Sequence, residues 1–366
     1  MPKVAIIHLL YNGRQYLADC FRTLEGMDYP RENVEIFVVD NASSDDGVAF
    51  LKTEIMPKSG VALPKITIIE NKENLGFAEG NNVGMRVALE RGFDFIYLLN
   101  QDTEVDPEFL SQAVGEAERR SKAGSVQSFI MLGTERVRLN SLGNAIHYLG
   151  FGYARGYQML LSEGEAEAER LRAGNPAIQI AYSSGAGVLY RISALRETGL
   201  FDSELFLYHE DLDLGWRLRM LGYENILAPR SVIYHKYEFS RSIKKYYWME
   251  RNRFIVLFKL YKLPTLILLA PALILMELGL LAFSAHSGWW KEKWHGYAYF
   301  HKRKNLKKLW IARREAQRIR KKPDCEMISL FTSIIDFQEF KNPVLKYFAN
   351  PLFTLYWFVV RPFIFW

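Results

Sequence analysis

The sequence predicts an α/β protein: a mostly parallel sheet flanked by helices, carrying a helical, membrane-associating region behind it. Three observations predict this. Apolar runs of strand length alternate with segments of helical spacing through the first third of the chain. Those runs are apolar throughout, as in strands buried on both faces. The last third gathers aromatic, apolar and basic residues into long stretches. A chain of 366 residues has room for one large domain, expected over residues 1–240, and an appendage over 241–366.

The elements follow in order. VAIIHLL, after Lys3, is the first strand. It is too short to direct export or cross a bilayer, so the protein is expected to begin and stay in the cytosol. In RQYLADCFRTLEGM, the residues Tyr16, Leu17, Cys20, Phe21 and Leu24 have helical spacing. VEIFVVD is the second strand, and SSDDGVAFLKTEI a helix opened by Ser and Asp caps. KITIIE is the third strand, and GFAEGNNVGMRVALERG a helix closing on Gly92. FDFIYLLN is the fourth; Asp106 and Pro107 then start the helix PEFLSQAVGEAERR. Beyond residue 124, GSVQSFIML, AIHYLGFGYARGYQ and AIQIAYSSGAGVLYRI are expected as strands, with SEGEAEAE an exposed acidic loop. SALRETGLFDSELF, an acidic helix with Leu214, Leu218 and Leu221 on its buried face, and SVIYH complete the acceptor side of a cleft. Ligands of parallel sheets sit beyond the carboxyl ends of the strands. That rule selects one polar rim: Tyr11 and Asn12, Asp40 and Asn41, Asn71 to Gly76, and Asn100 to Thr103.

Cys20 and Cys325 are the only cysteines and lie far apart, which excludes a disulfide framework and fits a reducing compartment. The net charge of +6 is local: from Lys291 to Lys322 only Glu292 and Glu315 oppose the basic residues. Such a belt wants an anionic partner. No nucleic-acid motif accompanies it, whereas Trp289, Trp290, Trp294 and Trp310 suit anionic lipid headgroups. LPTLILLAPALILMELGLLAFSA, residues 263–285, is long enough to cross a bilayer. Pro264, Pro271, Glu277 and the flanking cations oppose a single crossing. A bent, re-entrant or interfacial pair of short helices with both ends cytosolic is expected instead. The aromatic end, PVLKYFANPLFTLYWFVVRPFIFW, reads as interfacial too. The competing reading is a soluble helical hairpin or a homodimer contact.

The ordered set YNG (11–13), VVDNASSDDG (38–47), NLGFAEGNNVG (74–84), LLNQDTEVDP (98–107), SSGAGVLYRISALRETGLFD (183–202) and YHEDLDLGWRLRMLGY (208–223) resembles the family 2 glycosyltransferases of the GT-A fold. It is most similar to the rhamnosyltransferase-type members that build cell-surface polysaccharides. The resemblance implies a role for each motif. Asp40 accepts a hydrogen bond from the donor's pyrimidine ring, or else caps the turn NASS. Asn12 lines that pocket or shapes the turn, with Tyr11 and Asn41 on the same rim. Asn74, Gly76, Gly80 and Asn81 border the donor, at a loop-to-helix transition where backbone N–H groups can face an anion. The alternative, glycines for helix–sheet packing, is preferred for Gly84.

Asn100, Gln101 and Asp102 stand where the resembled family has Asp-x-Asp. Asp102 is the expected ligand of Mg²⁺ or Mn²⁺ beside the donor diphosphate. Asn100 removes one charge; it either ligates through its amide oxygen or contacts the ribose. His235 either completes the metal site or is structural. Asp211 is the expected general base of an inverting transfer, kept ionised by the helix N-terminus. Asp213 and Glu210 support it, Glu210 also touching the acceptor. Trp216 is a sugar platform or a buried tryptophan; Arg217 pairs with phosphate or with Asp213. Arg241, Lys244, Lys245, Arg251 and Arg253 clamp phosphates or form a solvated face. The implied reaction moves a sugar, L-rhamnose from dTDP-rhamnose first, onto a polyprenyl-diphosphate-linked saccharide at the cytosolic face of a prokaryotic inner membrane. A UDP-hexose, UDP-galactofuranose or UDP-N-acetylhexosamine donor is the alternative within the fold. A nucleotidyltransferase and a non-catalytic scaffold are the rivals outside it.

Overall fold

The computed structural model describes residues 1–237, 243–335 and 343–366; Arg241 of the expected cationic group lies outside them. The strands are β1 (Val4–Leu10), β2 (Val34–Asp40), β3 (Lys65–Glu70), β4 (Phe95–Asn100), β5 (Thr103–Val105), β6 (Ala123–Leu132), β7 (Leu139–Ser141), β8 (Asn144–Ile146), β9 (Gly152–Ala154), β10 (Ile178–Gln179), β11 (Gly187–Arg191) and β12 (Glu224–His235). Ten of them form one sheet, with β10-β12-β6-β11-β4-β1-β2-β3 along its path, β5 paired to β12 and β7 to β6. β8 and β9 make a separate hairpin.

Strands β1 to β4 pair in parallel. β11 is antiparallel to both β4 and β6, and β12 is parallel to β6. The carboxyl ends of β1, β2, β4, β6 and β12 therefore share one rim, and β11 starts there. Burial on both faces explains why the first strands read as unbroken apolar runs. Ile6, Val38 and Tyr97 pack under α1 (Arg14–Glu25), with α2 (Gly47–Phe50) following β2. Ile7, Val39 and Leu98 pack on the other face under α3 (Gly76–Glu90). α4 (Phe109–Glu118) covers the first face; α6 (Ile192–Thr198) and α7 (Glu210–Leu221) cover the second.

Two expectations for the middle of the chain are corrected. SEGEAEAE lies in a helix, α5 (Leu161–Arg172), not in a loop. Alanine and glutamate favour helix. The Glu163 carboxylate accepts from the Leu160 N–H at 3.0 Å, and Ala168 packs with Leu139. The two long aromatic segments break into short pieces, β8 with β9 and β10 with β11, rather than forming two long strands.

The tail is α8 (Lys244–Leu260), α9 (Leu263–His286), α10 (Trp290–Phe300), α11 (Arg303–Ile319), α12 (Asp324–Met327) and α13 (Asn350–Val360). It does not stand apart from the sheet domain. Leu205, Leu212, Trp216 and Met220 share one core with Ile255, Tyr261, Leu269, Phe331 and Trp357, so the division expected at residue 240 separates no two cores. The apolar segment is one continuous helix rather than a pair, with Pro271 inside it. Its inward face, Thr265, Leu269, Ala272 and Met276, is buried, while Ile267, Ile274, Leu278 and Leu281 are exposed. Glu277 faces inward and pairs with Arg253 of α8 and, at 2.7 Å, with Lys293 of α10. Glu250 bonds the same two cations. The basic segment is partly internal as well. Arg313 donates to the Phe258 carbonyl and, at 2.7 Å, to that of Tyr261, which end α8; Arg320 pairs with Asp324 at 2.9 Å.

Breaking a buried pair leaves an uncompensated charge. Glu277→Leu is therefore expected to lower unfolding free energy by about 3 kcal/mol or more in chemical denaturation. Ile274→Ser, on the outer face, should change it by less than about 0.5 kcal/mol. Equal effects would mean that α9 is not seated through Glu277.

Candidate active site

The rim loops are tied to each other by amide side chains. Gln101, just past β4, accepts from the Tyr11 N–H at 2.8 Å and donates to the Tyr11 carbonyl at 3.1 Å. Gly13 leaves room for this amide: a Cβ there would lie 2.2 Å from the Gln101 Oε1. Asn12, in the left-handed region at φ 48°, accepts from the Ser44 N–H at 2.8 Å, and its own N–H donates to Ser43 Oγ at 3.1 Å. Asp40 is buried at the end of β2 and accepts from the Ser43 N–H at 3.2 Å. The turn-capping alternatives for Asn12 and Asp40 are thus present in the structure. The Tyr11 side chain stays exposed on the rim.

The loop from Asn71 to Gly76 corrects an expectation. At the transition into the helix, the backbone N–H groups of residues 75–78 do not face open space for an anion. The Leu75 N–H donates to Asn41 Oδ1 at 3.0 Å and the Gly76 N–H to Asn74 Oδ1 at 2.8 Å. The N–H groups of Phe77 and Ala78, at the start of α3, both donate to the Phe206 carbonyl, at 2.7 and 3.1 Å. Asn41 is a loop organiser, its amide donating to Asn74 and to the Gly76 carbonyl. Gly76, at φ 78°, packs on Phe206, where a Cβ would lie 2.5 Å from the ring. Gly80 lies against Leu9, and buried Asn81 bonds the Phe77 carbonyl at 2.9 Å. The packing reading, preferred for Gly84, extends to Gly80.

At the end of β4, the Asn100 N–H donates to the Ala186 carbonyl at 3.1 Å and its own carbonyl accepts from Thr103 Oγ1. Next to it, Asp102 Oδ1 stands 3.2 Å from His235 Nε2, at the end of β12. His235 Nδ1 lies 3.1 Å from Asn140 Oδ1. That contact turns Nε2 toward the Asp102 carboxylate, where a shared cation would take both as ligands. Two ligands at roughly 2.1 Å and right angles sit about 3 Å apart, so this spacing and the oriented imidazole fit a divalent metal. Burial works to raise the Asp102 pKa, but His235 outweighs it and holds the carboxyl below its usual range. Among the described residues no cluster of three or more His, Cys, Asp or Glu forms a fuller cage.

Asp211 stands in the first turn of α7. It accepts from the Leu212 N–H at 2.7 Å and the Gly185 N–H at 3.3 Å. Gly185 precedes Ala186, the residue bonded to Asn100, so Asp211 and the Asp102–His235 pair stand on the same rim, joined through the start of β11. The helix N-terminus was expected to keep Asp211 ionised. Burial prevails, pushing it up to about 6 against the donors of Gly185 and Leu212. Burial and the neighbouring Asp211 carry buried Glu210 well above the carboxylate range.

Two expected ligand contacts are overturned. Trp216 is 1% exposed and packs edge-on against Tyr261 and Phe331, so it offers no platform to a sugar. Arg217 is buried and turned inward, bonded to Asp213 at 2.8 Å and to the carbonyls of Thr198 and Leu200 at 2.6 and 2.7 Å rather than to a phosphate. Arg251 and Arg253 are likewise buried in internal bonds rather than lining a phosphate clamp.

The segment entering α7 escaped the sequence reading. Phe206, Tyr208 and His209 all have positive φ, at 59°, 66° and 70°, without a glycine among them. Each such residue costs about 1–3 kcal/mol, and strain of this kind collects at functional sites. Asn252 of α8 bonds the carbonyls of Leu205, Leu207 and Tyr208. No local motif announces this; Asn252 sits among cations in ERNRF. Asn140, which orients His235, was also unmarked.

Comparison with known proteins follows from this geometry. The Glycosyl transferase family 2 model matches residues 5–199, more than half of the chain. The uncharacterized protein y4gI of Sinorhizobium fredii is 27% identical over 210 residues, 57% of this chain and 22% of that protein. The N-acetylglucosaminyl-diphospho-decaprenol L-rhamnosyltransferase of Mycobacterium tuberculosis is 40% identical over 58 residues, 16% of this chain and 19% of that one. The chain thus spans about a fifth of the length of either relative. Among solved structures, the mannosyltransferase PcManGT of Pyrobaculum calidifontis, in complex with GDP-Man and Mn²⁺, superposes with a TM-score of 0.50 at 16% identity, over 87% of this chain and 86% of that one. That likeness is one of fold. With its GT-A-like α/β sheet and this family match, the chain belongs to glycosyl transferase family 2.

Proposed function

We propose that the protein is an inverting, metal-dependent glycosyltransferase that moves a sugar from a nucleotide diphosphate onto a polyprenyl-diphosphate-linked saccharide. L-rhamnose from dTDP-rhamnose is the first donor to try, because the segment 40% identical to this chain belongs to an L-rhamnosyltransferase. The observation that carries the reading is the sharing of one rim by Asp211 and the Asp102–His235 pair. Asp211 takes the proton of the acceptor hydroxyl as its oxygen bonds to the anomeric carbon. The bond from that carbon to the phosphate oxygen breaks on the opposite side, and the nucleoside diphosphate leaves. Asp102 and His235, with Asn100 beside them, hold Mg²⁺ or Mn²⁺, which when bound offsets the charge on the departing diphosphate. Asp40, Tyr11 and Asn12 are the residues proposed to meet the nucleobase.

A base must be ionised, so a pKa near 6 sets the acid limb. Nucleoside diphosphate release should rise with pH through about 6 and level above it, with activity at pH 5 about a tenth of that at 7.5. Asp211→Asn should lower kcat roughly 100- to 10,000-fold while donor binding persists. A limb near 4, or an active Asp211→Asn enzyme, would move the base elsewhere.

Chelation should abolish turnover, and added Mn²⁺ or Mg²⁺ restore it. Asp102→Asn should raise the cation concentration for half-maximal rate by at least about 10-fold. Turnover indifferent to chelator would refute the metal assignment.

The tail is proposed to lie on the cytosolic face of the inner membrane. Supporting this, the exposed face of α9 continues into α13, whose Tyr356 bonds the Leu268 carbonyl and whose Leu355, Phe358 and Val359 are exposed. Trp290 and Trp294 are exposed on α10, and Glu277 ties α9 to α8 and α10. The protein should float with vesicles containing anionic lipid, less so in high salt, and Ile274→Glu with Leu278→Glu should abolish flotation. A stable dimer that ignores vesicles would assign the same face to a second copy.

A further inference from the structure

We infer that Asn252 is a positioning residue for the transfer: from α8 it fixes residues 205–208 so that the donor-side loop and Asp211 meet one cleft. Only its kinetic readout rests on the reaction proposed above.

Asn252 is fully buried. Its Nδ2 lies 2.7, 3.0 and 2.7 Å from the carbonyls of Leu205, Leu207 and Tyr208. Its Oδ1 accepts from Arg251 at 2.9 and 2.7 Å, which settles the orientation of the amide. Arg251 also donates to the Glu204 carbonyl, so the pair grips the segment from its first residue. The one carbonyl Asn252 leaves out is that of Phe206. It is turned the other way, onto the N–H groups of Phe77 and Ala78. The Phe206 ring stacks on Trp248 of α8 at 4.6 Å and fills the space a side chain at Gly76 would take.

Downstream, the segment ends at His209, whose carbonyl accepts from the Asp213 N–H at 2.8 Å in the first turn of α7. One clamp thus sets two things. It aims the Phe206 carbonyl at the start of α3, and it sets the entry of α7 that carries Asp211. Left-handed φ at Phe206, Tyr208 and His209 would relax toward ordinary values without it.

The test compares Asn252→Ala and the isosteric Asn252→Asp, which turns a donor into a carboxylate facing three carbonyls, with the native protein. Amide exchange by mass spectrometry comes first, since it needs no substrate. Peptides over 74–80 and 203–211 should exchange at least about 10-fold faster in either variant while those of β1 and β4 stay protected. Unchanged protection of the two segments overturns the inference. For folded variant, kcat should fall roughly 100-fold, as expected for a displaced catalytic group. Its acid limb should move from about 6 toward the ordinary carboxylate range as water reaches Asp211. A purely structural role predicts lower thermal stability with native kcat and an unmoved limb, and that result also overturns it. Asn252→Ala combined with His209→Gly, which accepts positive φ freely, should recover part of the lost rate. If the native protein turns over no nucleotide sugar, the enzyme reading falls, and the exchange data still decide this one.

Discussion

The rest of the structure depends on the burial of the polar side chains of α8. Arg251, Asn252, Arg253 and Lys259 are all nearly inaccessible. A buried cation or amide is tolerable only where acceptors meet most of its donors. The partners come from three directions. Asn252 and Arg251 bond the segment entering α7. Lys259 pairs with Asp202 at 2.6 Å and with Asp213 of α7 at 2.8 Å. Arg253 pairs with Glu250 and with Glu277 of α9. One helix is thereby locked to the rim, to the helix bearing the proposed base and to the apolar helix. The tail is not an appendage: removing α8 would take from Asp202 its only ion-pair partner among the described residues, leave Asp213 with Arg217 and release the strained entry to α7.

How legible this was from sequence follows the physics of each part. Strands β1 to β4 were readable because double-sided burial writes an unbroken apolar run, and the rim followed from their ends. The elements after residue 124 were less so. Strands of two or three residues leave too little periodicity to find, and α5 looked like a loop because its face toward Leu139 is made of small residues. At the site, residue positions were legible but not hydrogen-bond destinations. Asn41 and the N–H groups of residues 75–78 sit where a ligand loop was expected. Their partners, Asn74 and the Phe206 carbonyl, are set by tertiary packing that no local spacing encodes. Trp216 and Arg217 failed for the same reason. A helix buried on nearly every side, as α7 is, shows no outward face in its sequence.

Asp211 shows how magnitudes decide between two opposed effects. A helix N-terminus favours a carboxylate by about 0.3–1 kcal/mol, up to about 2 in partly buried geometry. Moving an aspartate from its ordinary value to about 6 corresponds to about 3 kcal/mol in the other direction. Burial therefore wins over the helix N-terminus and over the donors of Gly185 and Leu212 together. The outcome suits a base. At neutral pH Asp211 is ionised, yet it binds a proton more firmly than an exposed aspartate does.

The same accounting of charge bears on the other half of the rim. Asn100 is neutral, and histidine ligates a metal as the uncharged imidazole. On the proposed reading the protein then opposes a doubly charged ion with a single carboxylate. Hard divalent cations take oxygen ligands and gain most from charged ones, so much of their coordination has to come from the donor diphosphate. His235 Nε2, 3.2 Å from Asp102 Oδ1, would be the second protein ligand to such a cation. Asn140 Oδ1, 3.1 Å from His235 Nδ1, keeps the ring turned so that Nε2 faces the carboxylate.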